Sequence, residues 1–302
     1  MTIDKSIPRA EKRAREHTLE DRNAAVMRAI RLMRENMNET LPVPRLANSA
    51  LLSPFHFHRT FRDLTTSTPA RFLAALRMAE AKRQLVYTPR SVTDICADVG
   101  YSSLSTFSAQ FTRLVGIPPS RFRRLVAPFA DLPFNTLLAQ LQPMIAEPAS
   151  PQASATVFGD ADDGALAAVG LFRASIPQEA PSACAIVAIP GVATFSDLSD
   201  DDYSPLAMSF PSSTTVADAL VGDDSEVFLV AASPVKVRIR EGQRVTRPRV
   251  PLRLRPRVPT DPPVVIALPL LMAAEAVHAS GPSTGTAQFA CTRAMQPTRR
   301  RE

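Results

Sequence analysis

Four side chains suited to contacting a polyanion share one face of a predicted helix. They follow one another at spacings of three and four residues and are Phe55, His58, Arg59 and Arg62. Such spacing places them on one side of an α-helix. Arginine offers a fork of donors to phosphate or to base edges, histidine adds a polar tip, and phenylalanine adds an apolar contact. The helix begins at the N-cap residue Ser53, and Pro54 occupies its first position.

A second segment repeats this arrangement 49 residues further along the chain. Ser102 or Ser103 caps the next predicted helix, and the glycine that supplies the preceding turn is Gly100. Its outward positions are Leu104, Ser105, Ser108 and Ala109, and its inward positions are Phe107, Phe111 and Leu114. Each helix follows a short apolar helix and a tight turn, so the sequence predicts two helix-turn-helix units in tandem.

The predicted helices around these two segments pack against them and hold them in position. From Asp21 an apolar stripe runs along one helix through Val26, Ile30, Met33 and Met37. Inward positions of the first contact helix are Phe57, Thr60, Phe61 and Leu64, and a connecting helix from Thr68 to about Tyr87 turns Phe72, Leu76 and Ala79 inward. A short basic helix follows at 120–126. The sequence therefore predicts seven helices in residues 21–126, preceded by a disordered charged arm at 1–20.

Charge divides the chain into unlike halves. Residues 1–126 contain 21 Lys and Arg against 11 Asp and Glu, whereas residues 127–302 contain 14 against 18. A basic half beside an acidic half indicates a polyanion-binding module with a separate partner domain. Three scattered cysteines form no Cys-x-x-Cys pair, which argues against a disulfide framework or a zinc site. The apolar stretch 264–274 is broken by Pro269 and is too short to span a bilayer, so we expect a soluble cytoplasmic protein without membrane contact.

Residues 21–126 resemble the DNA-binding domain of the AraC/XylS family of bacterial transcription regulators. The resemblance rests on Ser91-Val-Thr-Asp-Ile-Cys-Ala-Asp-Val-Gly-Tyr-Ser-Ser-Leu-Ser-Thr-Phe-Ser, on Phe111 and on Gly116-Ile-Pro-Pro-Ser with Phe122-Arg123. It implies two recognition helices that enter adjacent major-groove segments of double-stranded DNA in the bacterial nucleoid. It also implies activation through contact with RNA polymerase, with repression left open.

The resemblance assigns roles to individual residues. Base contacts would come from Phe55, His58 and Arg59 in the first recognition helix and from Leu104, Ser105, Ser108 and Ala109 in the second. Arg62 joins the first group because it shares the same helix face. Predicted phosphate contacts are Ser53, Ser102, Ser103, Thr106 and Arg113. Many relatives carry Arg or Gln where Ala109 stands, and alanine cannot form the bidentate contacts of those side chains. We therefore expect the first unit to supply most of the sequence discrimination.

The second half of the chain has the pattern of short strands. A linker is predicted at 127–155, a small β-sandwich at 156–278 and a disordered tail at 279–302. The predicted strands lie at 167–172, 183–189, 206–210 and 227–232, with further alternation from Val235 to Ile239 and from Val250 to Leu254. The turn at 190–203 resembles that of transthyretin-like and carboxypeptidase-regulatory sandwiches. This domain could also sense a small-molecule effector, with DNA binding as the output.

Other functions find little support in the residues. His56 and His58 stand at i and i+2, on different sides of a helix, so a metal site between them is not expected. The acidic run 197–202 lacks the spacing of a known calcium loop, and a solvated turn is favoured. The basic strand faces at 236–240 and 253–257 are interpreted as solvated, with phosphate contact as the alternative. After residue 127 no catalytic constellation is apparent, so we expect neither an enzyme nor a cofactor.

Overall fold

A computed structural model describes residues 9–136, 151–173, 181–221, 228–244 and 249–263. The first of these ranges is helical. Its helices are α1 (Arg9–Glu35), α2 (Val43–Ser49), α3 (Pro54–Thr65), α4 (Pro69–Tyr87), α5 (Val92–Asp98), α6 (Leu104–Val115) and α7 (Pro119–Val126). Among the described residues, no helix combines the length and the apolar character needed to cross a bilayer.

The first helix starts earlier than the sequence pattern suggested. Helix α1 begins at Arg9 rather than at Asp21, so the prediction of a disordered arm was wrong for residues 9–20. This stretch is rich in Ala, Glu, Lys and Arg, which are all strong helix formers. Its low apolar content suggested disorder, but a helix can continue outward from an anchored segment because each added residue gains a hydrogen bond. Residues 1–8 lie outside the described residues.

One compact unit contains the chain up to Leu76 together with 258–262. Its core brings the predicted apolar stripe of α1 against α2, α3 and the first half of α4. The residues at its centre, each almost completely buried, are Val26, Ile30, Met33, Phe57, Phe61 and Phe72. Arg28 of α1 donates hydrogen bonds to the carbonyls of Ser49 and Ala50, at 3.1 and 2.9 Å. These bonds fix the end of α2, and with it the turn that precedes α3.

The second unit, Arg77–Arg257, joins the rest of the helices to a β-rich region. Its strands are β1 (Ala153–Phe158), β2 (Leu166–Phe172), β3 (Ala183–Ala188), β4 (Gly191–Phe195), β5 (Asp201–Phe210), β6 (Leu229–Ala232), β7 (Val237–Arg240), β8 (Gln243–Arg244), β9 (Val250–Arg253) and β10 (Arg255–Pro256), with helix α8 (Val216–Val221) between β5 and β6. This division falls within α4.

The strands form two sheets that share one hydrophobic core. The smaller sheet has the order β4-β1-β9, with β1 antiparallel to β4 and parallel to β9. The larger contains β10-β6-β5-β2-β3, with β7 and β8 attached through β5. In its centre β2 pairs antiparallel with both neighbours, matching Val169 with Ala185 on β3 and with Ala207 on β5. Buried side chains from both sheets, including Val157, Val169, Tyr203 and Leu252, meet in the shared core.

Several boundaries in this half differ from the predictions. Strand β1 begins at Ala153 inside the predicted linker, and β4 occupies part of the segment predicted as a turn at 190–203. Both are short, so their period-two pattern is weak in isolation and becomes decisive only through pairing with each other. Val235, predicted to face inward, is exposed, because β7 starts two residues later. The predicted tail lies outside the described residues.

Residues 129–134, also predicted as linker, are held against the β-rich region. The backbone N–H groups of Ala217, Val216 and Phe134 bond to the carbonyls of Ala130, Leu132 and Thr214, at 2.9, 2.9 and 2.8 Å. The ring of Phe134 is fully buried and lies 4.7 Å from that of Phe210. Burial of this aromatic ring favours an ordered path, which the surrounding polar and proline-rich sequence concealed.

The acidic run at 197–202 is engaged in local structure. Asp200 accepts hydrogen bonds from the backbone N–H groups of Glu241 and Gly242, which lower the pKa of its carboxyl. Asp202 lies 2.6 Å from a guanidinium nitrogen of Arg240, and Asp201 lies 3.0 Å from Arg173. Asp200 and Asp202 therefore brace the turn between β7 and β8, whereas Asp201 pairs with the residue that follows β2. No cluster of candidate metal ligands occurs within the described ranges.

The turn before α3 contains a strained residue that suggests a stability test. Leu51 has φ of 59°, in the left-handed region, and its side chain is 79% exposed. For a residue with a Cβ this conformation costs about 1 kcal/mol. We expect Leu51→Gly to raise the free energy of unfolding by about 1 kcal/mol, measured by urea denaturation. Leu51→Ala, which keeps the strain and loses the exposed side chain, should leave stability nearly unchanged. A less stable glycine variant would contradict this account.

Candidate nucleic-acid interface

The N-terminus of α3 is fixed by its own sequence. The hydroxyl of Ser53 accepts a hydrogen bond from the backbone N–H of His56 at 3.4 Å, and Pro54 occupies the first turn. The cap satisfies a donor that the helix itself leaves unpaired, and proline has no donor to satisfy there. The predicted start of this helix is confirmed. Phe55 and the exposed positions after it therefore project from a helix with a defined first turn.

The opposite side of α3 is anchored in the core by aromatic contacts. The rings of Phe57 and Phe61 lie 5.4 Å apart, and Phe61 meets Phe72 edge-on at the same distance. Thr60, also predicted to face inward, is buried, and Leu64 is half-buried. An ion pair of 2.8 Å between Asp63 and Arg22 joins the solvent side of α3 to α1. These contacts set the rotation of α3 about its axis and so decide which side chains face outward.

The four predicted base-contacting residues of α3 all lie on its solvent face. Phe55 is 82% exposed, and His58, Arg59 and Arg62 are also exposed. At this exposure the ring of Phe55 does not pack onto the neighbouring helix. Within the described residues neither Arg59 nor Arg62 forms an ion pair. The face thus presents two guanidinium groups, an imidazole and an apolar ring. His56 is exposed as well.

The turns of the two helix-turn-helix units make the same hydrogen bonds. In the first, the N–H of Leu51 bonds to the carbonyl of Asn48 and that of Leu52 to Ala47, each at 3.0 Å. The corresponding bonds in the second run from Gly100 to Ala97 and from Tyr101 to Cys96, again at 3.0 Å. Each partner is displaced by 49 residues, the offset predicted from the sequence. Gly100 has φ of 81°, which confirms its predicted role in the turn.

Helix α6 is capped by Ser103, which decides between the two serines left open by the sequence. Its hydroxyl accepts a hydrogen bond from the N–H of Thr106 at 3.4 Å and lies 2.8 Å from the hydroxyl of Ser105. Ser102 is exposed just before the cap. Of the predicted phosphate contacts, Ser53, Thr106 and Arg113 are also exposed, whereas Ser103 is half-buried. The side chain of Ser103 is thus already committed to the start of the helix.

An aromatic series anchors the inner side of α6. The rings of Tyr101 and Phe107 lie 5.6 Å apart, those of Phe107 and Phe111 5.8 Å, and Phe111 meets Phe122 of α7 at 5.7 Å. The guanidinium carbon of Arg77 lies 5.4 Å from the centre of the Tyr101 ring, within the range of a cation–π contact. Burial raises the pKa of the Tyr101 hydroxyl, although the Arg77 charge opposes that shift. The predicted inward residues Phe107, Phe111 and Leu114 are buried as expected.

The outer face of α6 has a different chemistry from that of α3. Leu104 is 43% exposed, Ser105 and Ala109 are exposed, and Ser108 is half-buried. None of these side chains carries a charge, and only the serine hydroxyls can form hydrogen bonds. Cys96, beneath this helix, is buried as predicted, and burial raises the pKa of its thiol. The face of α6 therefore offers van der Waals contact and single hydrogen bonds rather than forked ones.

A helix-turn-helix family model matches residues 46–125, a range that begins within α2 and ends within α7. Residues 46–125 are an AraC-type helix-turn-helix domain. A transcriptional regulator of Mycobacterium tuberculosis is 36% identical over 85 residues, which cover 28% of this chain and 33% of that protein. The transcriptional activator RhaS of Yersinia pestis is 31% identical over 104 residues, 34% of this chain and 38% of that protein.

The chain thus spans little more than a third of the length of these relatives. Among solved structures, the DNA-binding domain of AdpA in complex with a target DNA is 29% identical. That likeness covers 33% of this chain and 91% of the other, with a TM-score of 0.33. The family model ends at residue 125, before the β-rich region at 153–257.

A contact that the sequence did not predict joins the AraC-type domain to the β-rich region. Lys82 of α4 is only 1% exposed, and its Nζ donates to the carbonyl of Leu220 in α8 at 2.6 Å. A cation suits this place because the carbonyls at the end of a helix carry partial negative charge. A sequence signal existed: Lys82 stands three residues after Ala79 and so continues the inward stripe of α4.

A second hydrogen bond lies at the other end of the same contact. The hydroxyl of Tyr87 donates to Asp218 at 2.8 Å, and Asp218 also accepts from the hydroxyl of Thr215 at 2.7 Å. Burial, followed by the neighbouring Asp218 carboxylate, raises the pKa of Tyr87. Burial alone would raise the pKa of Asp218, but hydrogen bonds from Thr215 and Tyr87 lower it below its usual value. Helix α8 is therefore held to α4 near both ends.

The basic face of β7 is engaged in ion pairs. Arg238 and Arg240 are exposed on β7, yet both lie beside Asp202, at 3.5 and 2.6 Å. Their charge is partly balanced by this carboxylate, which lowers their attraction for a phosphate backbone. The arrangement favours the solvated face over the alternative of phosphate contact.

Proposed function

We propose that this protein is a sequence-specific regulator of transcription that binds double-stranded DNA through α3 and α6. The observation that carries the proposal is the exposed face of Phe55, His58, Arg59 and Arg62 within an AraC-type domain. The residues stand on a helix whose opposite side is fixed in a core, which is the arrangement needed to hold side chains against base edges. We infer no enzymatic activity and no cofactor.

The contacts with DNA would be of two kinds: some would position the protein on the phosphate backbone, and others would read the bases. Hydroxyl groups and N–H groups at the starts of α3 and α6, together with Arg113, would hold the phosphate backbone. Arg59 and Arg62 would read guanine through paired donors, and Phe55 would contact thymine methyl groups. The seven helices α1–α7 would act as one tandem reader of two adjacent major-groove segments, with the β-rich region folded as a small β-sandwich. Activation through RNA polymerase is the expected output in a bacterial cytoplasm, and repression is the alternative.

Random-site selection with the full-length protein tests the proposal most directly. We expect enrichment of one DNA motif with two parts, about one helical turn apart. Affinity for that motif should fall steeply with salt concentration, because bound phosphates release counterions. A protein with all four face residues changed to alanine is the control, and it should enrich no motif. Failure of the unmodified protein to enrich any sequence would overturn the proposal.

The two halves of the selected motif should differ in information content. We expect the half contacted by α3 to be strongly specified and the half contacted by α6 to be tolerant, since Leu104, Ser105 and Ala109 have no forked donors. The selected motif itself provides the measurement. Ala109→Arg should then add a guanine preference in the second half only. If the unmodified protein selects bases in the α6 half of the motif at least as strictly as in the α3 half, the predicted difference between the two helices is wrong.

A ligand-sensing regulator is a second candidate, favoured by the contact of Lys82 and Tyr87 with α8. A small molecule that altered the β-rich region would act on α4 through α8, and α4 joins the two helix-turn-helix units. Screening the full-length protein against metabolites by thermal shift, followed by DNA affinity with and without each hit, tests this candidate. A hit that raises Tm and changes DNA affinity supports sensing, whereas a set of metabolites without effect on either supports a structural role for the region.

A further inference from the structure

Helix α4 ends next to a proline, which removes the backbone donor that one of its last carbonyls would receive. The N–H of Thr88 still bonds to the carbonyl of Gln84 at 3.0 Å, so the helical pattern of hydrogen bonds continues to that residue. The next bond would run from residue 89 to the carbonyl of Leu85, but Pro89 has no N–H. Because Leu85 is only 1% exposed, a donor from another part of the chain is favoured at its carbonyl.

Arg123 of α7 supplies that donor. Its Nε donates to the carbonyl of Leu85 at 3.1 Å, and a terminal nitrogen donates to the carbonyls of Arg90 and Thr88 at 2.6 and 3.4 Å. The N–H groups of arginine lie in a rigid planar fork, so one side chain can hold several acceptors in a fixed arrangement. A single guanidinium thus holds the end of α4 together with the segment that leads into α5.

The residue before Arg123 joins the same helix to α6. The ring of Phe122 is fully buried and meets Phe111 of α6 edge-on at 5.7 Å. Arg90, whose carbonyl accepts from Arg123, also forms an ion pair through its side chain with Asp98 at the end of α5. Helix α7 therefore connects the end of α4 directly to α6 and, through Arg90, to α5.

We propose that Arg123 is a positioning residue for DNA binding, which fixes the second helix-turn-helix unit on the end of α4. This inference rests on the proposed DNA-binding function. Helix α4 stands between α3 and α5 in the chain, so the direction in which the chain leaves α4 decides where α6 can reach. Loss of the guanidinium removes three hydrogen bonds from this segment and allows more than one direction. Arg123 thereby sets the spacing at which the two halves of the motif are bound.

The spacing between the halves of the selected motif tests this role. Fluorescence anisotropy would compare the motif with the same DNA carrying one additional base pair between its halves. We expect the unmodified protein to prefer the original spacing, and Arg123→Ala to lower the ratio of the two affinities about fivefold, roughly the contribution of one hydrogen bond. A smaller folded fraction would lower both affinities by the same factor, so the ratio reports positioning and not stability.

Arg124→Ala is the matched control for the charge. Arg124 is exposed and follows Arg123 on the same helix. Its replacement removes the same positive charge and should leave the ratio of affinities unchanged. An equal fall of the ratio in both variants would assign the effect to charge and overturn the proposal.

A double-mutant cycle with Pro89 tests the missing donor without DNA. Pro89→Ala provides an N–H for the carbonyl of Leu85, so Arg123 should contribute less in its presence. We expect Arg123→Ala to raise the equilibrium constant for unfolding by a factor about fivefold smaller in the Pro89→Ala background than in the unmodified protein. Urea denaturation gives all four constants. Equal factors in the two backgrounds would contradict the role assigned to Arg123 at this carbonyl.

The remaining contrary results concern the DNA measurements. An unmodified protein that binds both spacings equally overturns the positioning role, as does an Arg123→Ala variant with an unchanged ratio. Failure of the unmodified protein to bind any selected motif would overturn the proposed DNA-binding function, and the spacing role with it. Because the cycle with Pro89 uses no DNA, it separates that failure from an error in the structural role of Arg123.

Discussion

Replacing Arg59 by alanine is expected to weaken binding to the selected DNA motif by about 1–3 kcal/mol, or about 5- to 150-fold. Arg59 is exposed at the centre of the α3 face and forms no ion pair within the described residues. Its loss removes a forked pair of donors without disturbing the buried Phe57 and Phe61. The preference for one base should relax at a single position of the motif, whereas other positions keep theirs. Fluorescence anisotropy with a set of single-base variants of the motif measures both effects.

His56→Ala provides the matched control on the same helix. His56 is exposed but stands outside the predicted contact face, so its loss should change affinity and stability by less than about 0.5 kcal/mol. Arg59→Lys is informative as well, because lysine keeps the positive charge but lacks the paired N–H donors of the guanidinium group. We expect Arg59→Lys to retain non-specific affinity while losing base preference. Equal losses of affinity for all DNA sequences in Arg59→Ala would instead assign Arg59 to the phosphate backbone.

Replacing Lys82 by alanine is expected to destabilise the protein by about 2–4 kcal/mol. The change removes a hydrogen bond to the buried carbonyl of Leu220 and leaves that acceptor without this donor. It also removes the aliphatic stem, which packs between α4 and α8 at 1% exposure. Urea denaturation of the full-length protein, followed by circular dichroism, gives the change in unfolding free energy.

Arg83→Ala is the appropriate comparison, because it lies next in the chain and points to solvent. Its guanidinium pairs with Glu80 at 2.6 Å, and an exposed pair of this kind contributes less than about 1 kcal/mol. Lys82→Met separates the two parts of the Lys82 effect, since methionine restores the stem and omits the charge. An alanine variant at position 82 as stable as Arg83→Ala would show that the α4–α8 contact contributes little to folding.

Helices α3 and α6 were accessible to sequence reasoning because their determinants are local. N-cap serines, the proline after Ser53 and the three-to-four spacing of Phe57, Phe61, Phe107 and Phe111 act within one or two helical turns. The same spacing gave the exposed faces directly, since the residues opposite a buried stripe must face solvent. The β-strands were located for a related reason, because alternation in β7 and β9 divides buried from exposed positions. Strands β1 and β4 escaped notice because their identity depends on pairing with each other.

The sequence by itself determined that this protein contains two helix-turn-helix units and which side chains each presents, since period and capping are properties of neighbouring residues. Only the tertiary structure decided that Ser103 rather than Ser102 caps α6, that residues 129–134 are ordered, and that Lys82 is buried. Lys82 illustrates the physical reason. A lysine on an apolar stripe is unfavourable until a carbonyl from a distant helix accepts a hydrogen bond from it, and that acceptor lies 138 residues away. The sequence encodes both groups, but only folding brings them together.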